Sequence, residues 1–145
     1  MSDVLAPSDV VITGRAGSKE EAIRQAGGLL VAAGAVDESY VEAMLERERS
    51  ISTYMGSYLA IPHGTNEAKG AVKRSAMCLV RYDEPVDWDG NPVRVVVGIA
   101  GVGDEHLEVL SRIALVFADP DQAQQVLDAG SAAELYDILE RVNEE

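Results

Sequence analysis

At 145 residues, with 47% apolar and 26% charged side chains and few aromatics, the chain has the makings of one globular domain with an aliphatic core. A formal net charge of −13 excludes nonspecific binding to nucleic acid or to an anionic membrane surface, and favours a protein partner with a basic face. No stretch approaches the ~18 consecutive apolar residues of a membrane span, and Met1-Ser2-Asp3-Val4 has neither the basic nor the apolar region of a secretory leader, so a cytoplasmic protein without membrane insertion is expected.

The β-branched run Asp9–Thr13 predicts a short strand. Ser18-Lys19-Glu20-Glu21 is a capping box, and the helix it opens carries Ala22, Ile23, Ala26, Leu29 and Leu30 on one stripe before ending near Gly34. Asp37 is the expected cap of a second helix with Tyr40, Val41, Met44 and Leu45 inward. Its last stretch, Glu46-Arg47-Glu48-Arg49, reads by spacing as a solvated end, with arginines suited to the negative pole of the helix dipole.

Residues 58–61 predict a brief strand, and 75–82 and 93–100 stronger ones. The near-continuous apolar run of the last marks a central position in a sheet. Between the two, Asp83–Pro92 holds Glu84-Pro85 and Asp89-Gly90-Asn91-Pro92 and reads as a turn-rich connection, with Trp88 as a packing anchor. Asp104 is the expected cap of a helix with Leu107, Leu110, Ile113, Ala114 and Phe117 inward. Asp119-Pro120 starts another, with proline at the tolerated first position. Ser131-Ala132-Ala133-Glu134 is a second capping box, opening a helix with Leu135, Ile138, Leu139 and Val142 inward. The sum is one compact α/β domain over residues 1–145, with helices on both sheet faces.

Cys78 is the single cysteine, so no internal disulfide can form. Within Ala76-Met77-Cys78-Leu79-Val80 it reads as a buried structural thiol. The two histidines are more informative. In Leu59-Ala60-Ile61-Pro62-His63-Gly64-Thr65, Pro62 restrains the backbone before His63 and Gly64 frees it afterwards, which presents the imidazole at a rigid strand end. His106 falls in the first turn after Asp104, where a helix N-terminus offers free N–H groups and positive potential to an anion. If the fold joins them, one imidazole can be a nucleophile and the other a donor to a bound phosphoryl group. Two histidines and one cysteine make a poor metal set. No P-loop or dinucleotide-binding glycine pattern occurs, so neither metal nor cofactor is expected. Lys69, Lys73 and Arg74 read as a solvated basic face.

Taken in order, Met44-Leu45-Glu46-Arg47-Glu48, Ser52-Thr53-Tyr54-Met55-Gly56, the segment around His63 and Val97-Gly98-Ile99-Ala100 with Asp104-Glu105-His106-Leu107 closely resemble the EIIA component of the bacterial sugar phosphotransferase system. The class is mannitol/fructose, with the mannitol subgroup most similar from Pro62-His63-Gly64-Thr65-Asn66-Glu67-Ala68-Lys69, and the likeness runs from about Ile12 to Val142. It implies a three-layer α/β/α sandwich with a mixed sheet, forming a single EIIA domain of type 2. It also implies that His63 accepts phosphate from the phosphohistidine of HPr and passes it to a cysteine of EIIB. His106 would be the companion imidazole, and Arg47, matched through the Glu-Arg-Glu pattern, would hold phosphoryl oxygens. Relatives are often fused to EIIB and the membrane EIIC. This chain stands alone, so its partners are expected to be separate polypeptides. A nitrogen-type regulatory module, phosphorylated at the same histidine but acting by binding other proteins, is the alternative.

Overall fold

The structure is a computed structural model that describes residue 5 and residues 9–50, 52–56, 58–64, 70–102 and 105–139, apart from the side chains of Thr13, Glu105 and His106. Among these residues the chain forms β1 (Val10–Gly14), α1 (Lys19–Ala32), α2 (Ser39–Ser50), β2 (Tyr54–Gly56), β3 (Leu59–Ala60), β4 (Ala76–Trp88), β5 (Asn91–Ala100), α3 (Glu105–Ala118), α4 (Pro120–Asp128) and α5 (Ala132–Leu139). The strands make one mixed sheet in the order β1-β4-β5-β3-β2. β1 runs parallel to β4 and β3 parallel to β5, while β4–β5 and β2–β3 are antiparallel. The apolar run 93–100 is central, as its composition predicts.

Alternation along the strands divides the core in two. Met77, Leu79, Val95, Val97 and Ile99 face α3, α4 and α5. Cys78, Val80, Val96 and Ala100 face α1 and α2, whose Ile23, Ala26, Leu30, Tyr40 and Met44 cover them. This is a three-layer sandwich.

Local chemistry sets the helix starts. Ser18 Oγ accepts from Glu21 N–H at 3.2 Å, while the Glu21 carboxylate reaches one residue further back, to Gly17 N–H at 3.0 Å. Ser131 and Glu134 repeat that arrangement, with Gly130 N–H as the second donor. Asp119 caps α4 by accepting from Asp121 N–H at 2.9 Å, with Pro120 at the start of the helix. Ahead of α2 the Asp37 carbonyl accepts from Tyr40 N–H and its carboxylate pairs with Lys73. The expected cap Asp104, and Val142 and Lys69, lie outside the described residues.

Two expectations need correction, and one strand went unread. The turn-rich connection at Asp83–Pro92 is strand: β4 runs on to Trp88, with its register shifting between Arg81 and Val86, where Pro85 falls. Only Asp89 and Gly90 form the loop, both at positive φ (56° and 93°), as a two-residue type I′ hairpin requires. The inward face of α3 is Val109, Ile113, Val116 and Phe117, whereas Leu107 and Ala114 point outward. The apolar residues of that helix spread over more than one stripe, so the period alone does not select the buried face, and packing against β5 and α4 does. The short strand β2 gave no period long enough to read.

Candidate functional site

β3 ends at Ala60, but its register carries on: Leu59 pairs with Val95, Ala60 with Val96, and His63 bridges Ile99 in the same parallel sense. Ile99 N–H donates to the Pro62 carbonyl at 3.1 Å. His63 therefore stands at the carboxyl ends of two neighbouring parallel strands, the edge where open α/β sheets gather their ligands. Its half-buried ring is directed by a bond between Nδ1 and the Ile61 carbonyl, 2.9 Å away. A carbonyl oxygen only accepts. Nδ1 thus carries the proton when this bond is made, and the neutral ring holds its lone pair on Nε2.

The turn is clamped from both ends of α2. At the start of the helix the Tyr40 hydroxyl donates to the Ile99 carbonyl at 2.8 Å and accepts from Gly64 N–H at 2.9 Å, which joins the strand end to the residue after His63. Burial raises the Tyr40 phenol above its ordinary range, against the lowering effect of the Gly64 bond, so the hydroxyl keeps the proton it donates. Gly64 must be glycine for lack of room: a Cβ there would collide with the ring of Tyr40 at Cε1 and Cζ. At the far end of α2, Glu48 binds Thr53 N–H, and the Thr53 carbonyl accepts from Ile61 N–H at 3.0 Å.

Glu48 corrects the reading of Glu46–Arg49 as a solvated end. It is 5% exposed, whereas Glu46 and Arg49 are exposed. Its carboxylate also accepts from Trp88 Nε1 at 3.3 Å and lies 3.9 Å from Lys19 Nζ. Helical spacing cannot show this, because the partners Thr53 and Trp88 are not on the helix. Thr53 and Tyr40 likewise escape a sequence reading, since a tyrosine in an apolar stripe counts as core.

Arg47 sits half-buried in the last turn of α2, about two turns beyond Tyr40 and on the same side by helical period. His106 is the second residue of α3, the helix that follows β5 just past Ala100. The strand beside His63 thus leads directly to the helix start that carries the second histidine. Val102 and Leu107, 46% and 54% exposed, put apolar surface on that same connection. Leu59 and Ile61, by contrast, are buried in the core and form no outer rim around His63. Cys78 is fully buried, with its pKa pushed up to about 12 mainly by burial, so it is a structural thiol. Among the described residues no group of three His, Cys, Asp or Glu side chains is placed to hold a metal ion, and no helix is long and apolar enough to cross a membrane.

Fold and site together define a class: a three-layer α/β domain that presents a tautomer-fixed imidazole at the ends of parallel strands. Residues 3–142 match the model of the phosphoenolpyruvate-dependent sugar phosphotransferase system EIIA 2 family, and the chain belongs to that family. It is 50% identical over 141 residues to the mannitol-specific phosphotransferase enzyme IIA component of Halalkalibacterium halodurans, covering 97% of each chain. Its fold matches enzyme IIA-mannitol in the complex with phosphorylated enzyme IIB-mannitol from Escherichia coli, with TM-score 0.87 and 34% identity over 92% of this chain and 95% of that one. The nitrogen regulatory protein IIA-Ntr of Neisseria meningitidis is also similar, with TM-score 0.81 and 32% identity over 94% and 96%. The chain is a phosphotransferase component of the sugar phosphotransferase system.

Proposed function

We propose that this single EIIA domain, residues 1–145, is a cytoplasmic phosphocarrier for mannitol uptake. It takes a phosphoryl group from HPr onto His63 Nε2 and hands it to a cysteine of EIIB, which serves the membrane EIIC. The observation that carries this reading is the bond from His63 Nδ1–H to the Ile61 carbonyl at 2.9 Å, which leaves Nε2 as the basic nitrogen. The Nε2 lone pair attacks phosphorus in line, the donor's N–P bond breaks, and the departing nitrogen keeps that electron pair. His63 becomes a phosphoimidazolium whose ring charge is stabilised by Nδ1–H donating to the carbonyl. Because the proton stays on the ring, the new N–P bond remains a good donor. A thiolate of EIIB then attacks phosphorus and the electron pair returns to Nε2.

Arg47 and His106 are the proposed holders of the phosphoryl oxygens, each contributing about 1–3 kcal/mol through charge-assisted bonds. Mannitol is supported by the 50% identity to a mannitol-specific relative. The likeness to the nitrogen regulatory protein supports a second reading, in which the same phosphorylation governs binding to other proteins. Purified EIIB and EIIC in a coupled uptake assay separate the two, since a carrier restores mannitol phosphorylation.

His63→Ala is expected to take up no phosphate from Enzyme I, HPr and phosphoenolpyruvate. Mass-spectrometric detection of phosphohistidine in that variant would overturn the assignment. His106→Ala should slow uptake by about 5- to 160-fold, as about 1–3 kcal/mol requires, with label still on His63.

A further inference from the structure

Two residues facing each other as a hydrogen-bonded pair in an antiparallel ladder exchange both of their N–H···O bonds. Thr53 and Ile61 stand in that relation. Tyr54 pairs with Ala60 between β2 and β3, and one residue outward the Ile61 N–H donates to the Thr53 carbonyl at 3.0 Å. The reciprocal donor, Thr53 N–H, turns instead to the Glu48 carboxylate, 3.1 and 3.2 Å from its two oxygens. The Ile61 carbonyl meets the His63 ring at 2.9 Å. We propose that Glu48 is a positioning residue for His63: it draws the Thr53 N–H out of the ladder, gives the Ile61 carbonyl to Nδ1–H, and so places the lone pair on Nε2.

The chemistry favours this exchange of partners. A carboxylate forms bonds to N–H donors about twice as strong as a neutral carbonyl does, so it wins the Thr53 amide. Glu48 is buried and accepts as well from Thr53 Oγ1 and Trp88 Nε1. An acceptor-only group with donors on several sides has little freedom to swing away. Without it, the Thr53 N–H falls back onto the Ile61 oxygen, and the ring must share that acceptor.

The inference rests on the proposed role of His63 as nucleophile, and its test is read on the unphosphorylated ring. In nitrogen NMR of the His63 imidazole, the protein is expected to show a protonated, pyrrole-like Nδ1 and a pyridine-like Nε2. Glu48→Ala should move proton population to Nε2 and slow phosphate acceptance from phospho-HPr at least tenfold. Glu48→Gln keeps an oxygen near Thr53 N–H but without the charge that outcompetes the Ile61 carbonyl, so its ring signals and rate should fall between those of the parent and Glu48→Ala. A purely structural glutamate would lower stability in both variants without moving the tautomer, so a folded Glu48→Ala protein with unchanged ring signals overturns the proposal. If Glu48→Ala does not fold, the unmutated protein decides. Coupling across the hydrogen bond is expected between Thr53 N and the Glu48 side-chain carbon, and coupling to the Ile61 carbonyl carbon instead overturns it. Label on a residue other than His63 would defeat the carrier assignment but leave the ring measurement to stand by itself.

Discussion

Tyr40 is 4% exposed and reads as a core residue, yet its hydroxyl joins β5 to the histidine turn. Its ring packs with Met44 and Ala100 on the α1–α2 side of the sheet, and the oxygen emerges where Ile99 and Gly64 need a partner. Removing that oxygen leaves a carbonyl and an N–H without their bond, a cost of about 1–3 kcal/mol. Tyr40→Phe is therefore expected to lower unfolding free energy by that amount, with hydrophobic packing retained. The histidine turn should also loosen, so phosphate acceptance should fall more than stability alone accounts for. Chemical denaturation and single-turnover labelling check the two effects. An unchanged transfer rate with reduced stability would confine Tyr40 to the core.

At the scale of elements, what was legible in the sequence was whatever a few adjacent residues decide. Ser18, Asp119-Pro120 and Ser131 mark their helix starts because a cap is a local bond. The strand 93–100 declares itself because burial on both faces demands an unbroken apolar run. The site was legible in part for the same reason: Pro62-His63-Gly64 is a local device, whereas Tyr40 and Glu48 act on it from another element. The misread hairpin shows the limit. Pro85, Asp89 and Gly90 are all turn formers, but Pro85 falls where the β4 register shifts and only the Asp-Gly pair reverses the chain. Gly90 at φ 93° has space for a Cβ, so the cost of Gly90→Ala is conformational, about 1–2 kcal/mol. Asn91 is eight residues along β5 from Ile99, roughly 26 Å at strand rise. The variant is expected to lose stability while keeping wild-type phosphate uptake, with urea unfolding and labelling as the readouts.

Across the whole molecule, the sheet separates two half-cores, and α1 lies close against it at Cys78 and Gly98. Cys78 Sγ donates to the Ala26 carbonyl at 3.1 Å, and a Cβ on Gly98 would lie 2.9 Å from that sulfur and 3.1 Å from Ala26 Cβ. So close an approach of helix to sheet excludes water and holds the thiol neutral. Burial is the main cause of its pKa near 12, with the Gly98 backbone bond lowering it and Asp9 raising it. Because the folded value lies above the unfolded one, the unfolded chain loses its thiol proton first as pH rises. The stabilising contribution is complete below the ordinary thiol value of 9.0 and drains away between there and about 12, by about 1.4 kcal/mol per pH unit. Tyr82, on the same face and also raised chiefly by burial, extends the loss to higher pH. Cys78→Ala should be less stable than the parent at pH 7 yet flatter in its decline from pH 9 to 11. Guanidinium unfolding of both proteins at half-unit steps measures that difference. Parallel curves for the two would mean that the thiol ionises as readily folded as unfolded, and that α1 is not sealed against the sheet.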